Sequence, residues 1–188
     1  MGNYVSDHQV NLYLIALIPH IELREQIKAL KEEIKERFNA AHALRSPAHI
    51  TLQMPFKKSK KDEPYLINTL QEFAAYQKMF MVKLSGFDCF SPNVIFVKVI
   101  DHEPIISVHT QLKKVLTDKM EFKENGITQN IHPHMTIASG DLRAEAFSRA
   151  WVEFEKREFE ASFLTKSLFL LKHNGKFWEI HREFLFEK

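Results

Sequence analysis

Residues 49–52 read His-Ile-Thr-Leu, and residues 134–137 read His-Met-Thr-Ile. Each tetrad alternates polar and apolar positions. In an extended strand alternate side chains share a face, so each segment points its His and Thr one way and its apolar pair the other. The apolar pair suits a core beneath helices, and the His and Thr suit a polar cleft. One such tetrad alone is common and more often carries an ordinary core or surface histidine. Two copies at equivalent places of a repeated unit turn the reading toward chemistry.

The surrounding pattern supplies that repeat. Upstream of the first tetrad, the short apolar run 11–18 ends at Pro19 and predicts a mostly buried strand. Leu23, Ile27, Leu30, Ile34 and Phe38 then fall at helical spacing, predicting an amphipathic helix over 21–38. Downstream come a lysine-rich loop at 57–62, a helix from Pro64 to about Tyr76, and a strand over 80–87. The same order follows: strand 94–100, helix 104–120, a turn at Asn125-Gly126, strand 134–138, helix 142–156 and strand 160–172. Asn174-Gly175 predicts a tight hairpin turn before a last strand over 176–186. Tyr13 and Phe96, His49 and His134, and Phe80 and Phe163 lie at nearly constant separation, the mark of an internal duplication. The whole chain, 1–188, therefore reads as one domain of two pseudo-symmetric lobes, about 11–90 and 91–188.

Composition narrows the function classes. The 188 residues are 45% hydrophobic and 27% charged, an ordinary globular balance. The formal net charge of +2 argues against a general nucleic-acid binder and leaves room for a local basic patch that holds a small anion. One cysteine, Cys89, excludes an intramolecular disulfide and favours a reducing compartment, so a cytoplasmic location is expected. Cys89 is expected to be a packing residue. No apolar run is long enough to span a bilayer, and residues 1–10 lack the form of a secretion signal. Met1-Gly2 with Ser6 fits the short myristoylation pattern, which is common by chance.

Two imidazoles facing a cleft can move protons in opposite directions, because histidine titrates near neutral pH. One takes a proton from an attacking hydroxyl or water, and the other gives one to the leaving oxygen. Threonine hydroxyls beside them can donate to non-bridging phosphate oxygens. No metal or other cofactor is required. His132 with His134 has a ligand spacing, but no carboxylate or cysteine accompanies it at a matching spacing, and His132 is placed at the cleft rim. By alternation Tyr13 and Phe96 share the cleft-facing side of their strands with Ile15 and Lys98, where aromatics would stack on a base. Arg45 precedes the first tetrad as a candidate phosphate clamp. Lys57, Lys58, Lys60 and Lys61 form either a solvated loop or a phosphate-steering patch. His8, His20, His42, His102, His173 and His181 are expected in solvated or capping roles, and His109 on a helix surface.

The paired tetrads, with Pro133 just before the second, resemble the His-x-Thr/Ser-x motifs that define the 2H phosphoesterases, the group of the 2′-5′ RNA ligase-like proteins and cyclic nucleotide phosphodiesterases. The resemblance extends from about Leu12 to Phe186. It implies an α+β fold in which two antiparallel sheets flank a central cleft with helices outside. It also implies acid/base roles for His49 and His134 and phosphate contacts for Thr51 and Thr136. The expected partner is a small nucleotide or short RNA with a phosphodiester, without a membrane or an obligate protein partner. The alternatives are a nucleotide-binding module with little turnover and a structural α+β domain with coincidental motifs.

Overall fold

The computed structural model describes residues 9–187; the myristoylation pattern and His8 lie outside them. The element order is β1 (Val10–Leu17), α1 (Ile21–Phe38), β2 (Ile50–Ser59), α2 (Glu63–Ala75), β3 (Phe80–Phe90), β4 (Val94–Val99), α3 (Glu103–Met120), β5 (His134–Ala138), α4 (Ala144–Phe154), β6 (Glu160–Thr165), β7 (Ser167–His173) and β8 (Trp178–Leu185). The strands form two four-stranded antiparallel sheets, ordered β2-β1-β7-β8 and β5-β4-β3-β6. The fold is therefore the expected α+β arrangement of two antiparallel sheets with helices.

Local chemistry sets most boundaries. The apolar stripe of α1 is buried at Leu23, Ile27, Leu30, Ile34 and Phe38, and the helix stops at Asn39, whose left-handed φ of 56° returns its N–H to the Lys35 carbonyl. Pro64 and Pro104 sit in the first turns of α2 and α3, where a missing N–H costs nothing. A single core joins Tyr13, Ile15 and Leu17 of β1, Ile50 and Leu52 of β2, Met135 and Ile137 of β5 and the inner faces of all four helices. Each fully buried Leu or Ile there contributes about 1.5–3 kcal/mol relative to exposure.

Three expectations change. The loop expected at 57–62 is strand as far as Ser59, followed by a 3₁₀ turn at Lys60–Asp62. The hairpin after β7 is longer than two residues: Asn174 accepts from the Lys176 and Phe177 N–H groups, and β8 starts at Trp178. The run expected as one strand, 160–172, breaks at Lys166 into β6 and β7, which belong to different sheets.

That break rearranges the expected lobes. β3, from the first half, pairs with β4 in the second sheet, while β7, from the second half, pairs with β1 in the first. β3 of the first half, and β7 and β8 of the second, thus lie in the other half's sheet, so a boundary near residue 90 does not separate the sheets. Phe80 and Phe163, expected as symmetry mates, lie on hydrogen-bonded neighbours, β3 and β6. The strand that occupies β3's equivalent place is β7, because β7 flanks β1 as β3 flanks β4.

Candidate active site

β2 and β5 are edge strands of their sheets and pack against one another. The tetrads alternate as their pattern requires. Ile50, Leu52, Met135 and Ile137 are fully buried, while His49, Thr51, His134 and Thr136 are only partly covered. His49, Thr51 and Thr136 line a cavity of about 270 Å³, together with Arg45, Ser139 and Trp178.

The two histidines are anchored in the same way. Nδ1 of His49 lies 2.8 Å from the Pro47 carbonyl, and Nδ1 of His134 lies 2.5 Å from the His132 carbonyl. A carbonyl only accepts, so each Nδ1 carries the proton and donates it. Each neutral ring therefore keeps its lone pair on Nε2, the atom away from the backbone anchor. This is the tautomer that a general base needs, and protonation of the same Nε2 makes a general acid.

Their electrostatic surroundings push both rings toward the neutral form. Burial lowers His49 to a pKa of about 4, against the pull of the Pro47 carbonyl, and the charges of Lys31 and His134 lower it further. His134 is lowered by burial first, then by His132 and His102, against the pull of its backbone carbonyl. Each motif histidine lies near enough to other cationic groups for their charges to matter.

The two walls differ. Thr136 is paired across the strands with Phe96, and the Phe96 ring lies 4.8 Å from that of His134 between centroids. Phe90 and His132 close over the same ring, so Phe96 is 1% exposed. Phe96 is on the expected side of β4 but backs the histidine and has no free face for a base. Lys98 stands opposite His134 in the register, half-buried. His132 is exposed at the rim, with its ring 4.9 Å from that of His102.

Tyr13 requires a correction. Thr51 is paired with Ala16, so Ala16 is the register equivalent of Phe96. Leu14 and Ala16 face the cleft side of β1, and Tyr13 and Ile15 belong to the core beneath the helices. Tyr13 is fully buried there, and its hydroxyl donates to Glu63 at the start of α2, where Lys172 and His181 also bind that carboxylate. β1 is apolar on both faces, so alternation alone does not fix which face is which.

Other residues at the site carry little sequence signal. Lys31, on the buried face of α1, is 3% exposed and donates to the Ser46 carbonyl at 2.9 Å, which braces the segment leading to His49; burial lowers its pKa to about 8. The Asp141 carboxylate accepts from the Ala41 and His42 N–H groups and so ties the loop after β5 to the segment before β2. His42 and His173 line the His49 cavity. His109 is buried rather than on the helix surface, and its ring contacts the Thr128 carbonyl at 3.1 Å. Their partners are distant in sequence, so no local motif marks them. Arg45 is exposed on the cavity wall. Lys57 and Lys58 line a larger neighbouring cavity of about 730 Å³ that meets the site at Met54 and Pro55, and Lys58 is held by the Met120 carbonyl. Cys89 is partly buried against the core. Among the described residues no group of three or more His, Cys, Asp or Glu is placed to hold a metal ion. No helix among them is long and apolar enough to cross a membrane.

Comparison with known proteins agrees with this geometry. A protein of Bacillus pumilus (strain SAFR-032) named "Putative phosphoesterase" is 25% identical over 179 residues, covering 92% of this chain and 96% of its own. The structure of Escherichia coli LigT complexed with 3′-AMP superposes with a TM-score of 0.67 at 15% identity, covering 96% of this chain and all of LigT. TT0787 of Thermus thermophilus superposes with a TM-score of 0.62 at 15% identity, covering 93% of this chain and 97% of its own. The family model of the 2′-5′ RNA ligase superfamily matches residues 19–177, and the chain belongs to that superfamily, the 2H phosphoesterases.

Proposed function

We infer that His49 and His134 form a metal-independent acid/base pair acting on a small nucleotide phosphodiester, such as a 2′,3′-cyclic phosphate or a 2′-5′ linkage. One observation carries this reading. Two matching tetrads on packed edge strands hold their histidines by the same Nδ1–H to carbonyl bond, leaving both Nε2 atoms for proton transfer. LigT, a protein of the same fold, has been crystallised with 3′-AMP, with NADP+ and with ATP, which supports a nucleotide as the ligand class.

In this reading His49, the more strongly buried base with Lys31 beside it, starts neutral and takes the proton of the attacking water or hydroxyl at Nε2. His134 starts protonated and gives its Nε2 proton to the leaving oxygen. A bound phosphodiester anion raises the pKa of both rings and so permits that starting state. Thr51 and Thr136 donate to the non-bridging oxygens as charge builds on them. Arg45 flanks the reacting phosphate as a counter-charge, with His132 at the rim, whereas the Lys98 ammonium lies beside Gly86 of β3. In the reverse, ligating direction the two histidines exchange roles. Trp178, not Tyr13, is the aromatic that a base meets on the first-sheet side.

The test is to incubate the protein with each 2′,3′-cyclic nucleotide and to follow binding and product together. Product that disappears in His49→Ala and in His134→Ala supports the reading. Binding without product in the wild type would leave a nucleotide-binding module.

A further inference from the structure

A second cavity, of about 220 Å³, opens beside the first, between α1 and residues 44–48. The two share Arg45, Ser46 and Trp178 as a common wall. The lining of the second is strongly cationic: Arg24, Lys28, Lys31 and Arg45, against the single carboxylate of Glu25. Glu25 is loosely engaged by Lys28 at 3.8 Å.

Two of these cations have donor groups that the protein leaves wholly or partly unmet. Nε of Arg24 is buried and has no hydrogen-bond partner. Lys31 is 3% exposed, and among the described residues its ammonium donates to one acceptor, the Ser46 carbonyl. Buried donors left unmet, on charged groups above all, are rare unless something fills the space beside them. Arg45 makes no ion pair among the described residues and stands between the two cavities. One wall of the cavity is aromatic, formed by Phe177 and Trp178.

We propose that this cavity is a second anion subsite that takes a further phosphate of the same nucleotide whose phosphodiester lies between His49 and His134. The inference rests on the phosphodiesterase reading for the identity of the first phosphate. The chemical class is then a nucleotide carrying two phosphates on one nucleoside. The ribose spans the Arg45 wall, and the base lies against Trp178. Arg24 supplies a planar fork suited to phosphate oxygens, and Lys28 supplies a point charge at the rim.

Binding of adenosine 3′-monophosphate and of adenosine 3′,5′-bisphosphate, measured by calorimetry, tests this without requiring turnover. The wild type should bind the bisphosphate on the order of tenfold more tightly, the effect of one or two charge-assisted hydrogen bonds. Arg24→Gln and Lys28→Gln should each shrink that preference and leave monophosphate affinity unchanged; both variants keep a helix-compatible side chain. Equal affinity of the wild type for the two compounds, or a preference that neither variant moves, overturns the subsite. Turnover of 2′,3′-cyclic AMP in the same preparations separates the two readings. A retained bisphosphate preference with no turnover would sink the catalytic reading and leave the subsite standing, whereas turnover without the preference would do the reverse.

Discussion

The two halves of the site share a motif and differ in what stands behind it. His134 leans on a large aromatic, Phe96, with Phe90, His102 and His132 around it. The equivalent of Phe96 behind the first tetrad is Ala16, fully buried in a small apolar cluster with Leu14, Ile18 and Leu171, and the cavity beside His49 is lined by Leu14, His173 and Trp178. His49 instead feels a lysine ammonium from α1. Two like motifs thus hold histidines of the same tautomer in unlike surroundings, His134 against packed aromatics and His49 on the wall of a cavity. On the proposed acid/base reading, that asymmetry is what would let two identical groups take different roles.

The largest effect should come from the histidines themselves. His49→Ala and His134→Ala should each lower the rate on a 2′,3′-cyclic nucleotide by about 10² to 10⁴, and the double variant by less than the product of the two losses. Full activity in either single variant would break the comparison outright, since one half would then suffice. The threonines come next. Thr51→Val and Thr136→Val keep the strand-favouring shape and remove one hydroxyl each. Each should cost on the order of 10² in rate, as single oxyanion donors do. Unequal losses would show which half holds the developing charge.

The pH profile sharpens the difference further. With His49 as base at about 4, kcat/KM should fall below that pH as the base protonates. The alkaline fall follows loss of the His134 proton. Because burial holds His134 below the ordinary imidazole value of about 6.5, the maximum should lie on the acid side of neutrality. These limits belong to the coupled pair, so a perturbation on one side is needed to assign them. Lys31→Met removes a charge that opposes protonation of His49. It should move the acid limb to higher pH, leave the alkaline limb in place, and change the neutral-pH rate by less than about tenfold. Movement of the alkaline limb instead would exchange the roles of the two histidines. The smallest expected effect is that of exhaustive chelation, which should leave the rate unchanged. Loss with EDTA and rescue by zinc or manganese would instead point to His132 and His134 as ligands.

The sequence by itself determined the parts governed by short-range periodicity. The strict alternation of 49–52 and 134–137 settles which side chains face the cleft, because a strand has a period of two and only one phase buries Ile50, Leu52, Met135 and Ile137. The stripe of α1 and the prolines of α2 and α3 placed those helices for equally local reasons. Tertiary structure alone decided the rest. β1 is apolar on both faces, so its phase was set only when Tyr13 found Glu63 beneath α2, leaving Leu14 and Ala16 to the cleft. The crossing of β3 and β7 between sheets depends on pairing partners far away in the chain, for which no local pattern codes. Lys31 reads as one more polar residue on a charged helix. Its burial beside His49 exists only because α1 packs over the segment that carries Ser46 and Pro47. A side chain's period is written in its neighbours, but its environment is made by whatever the fold lays against it.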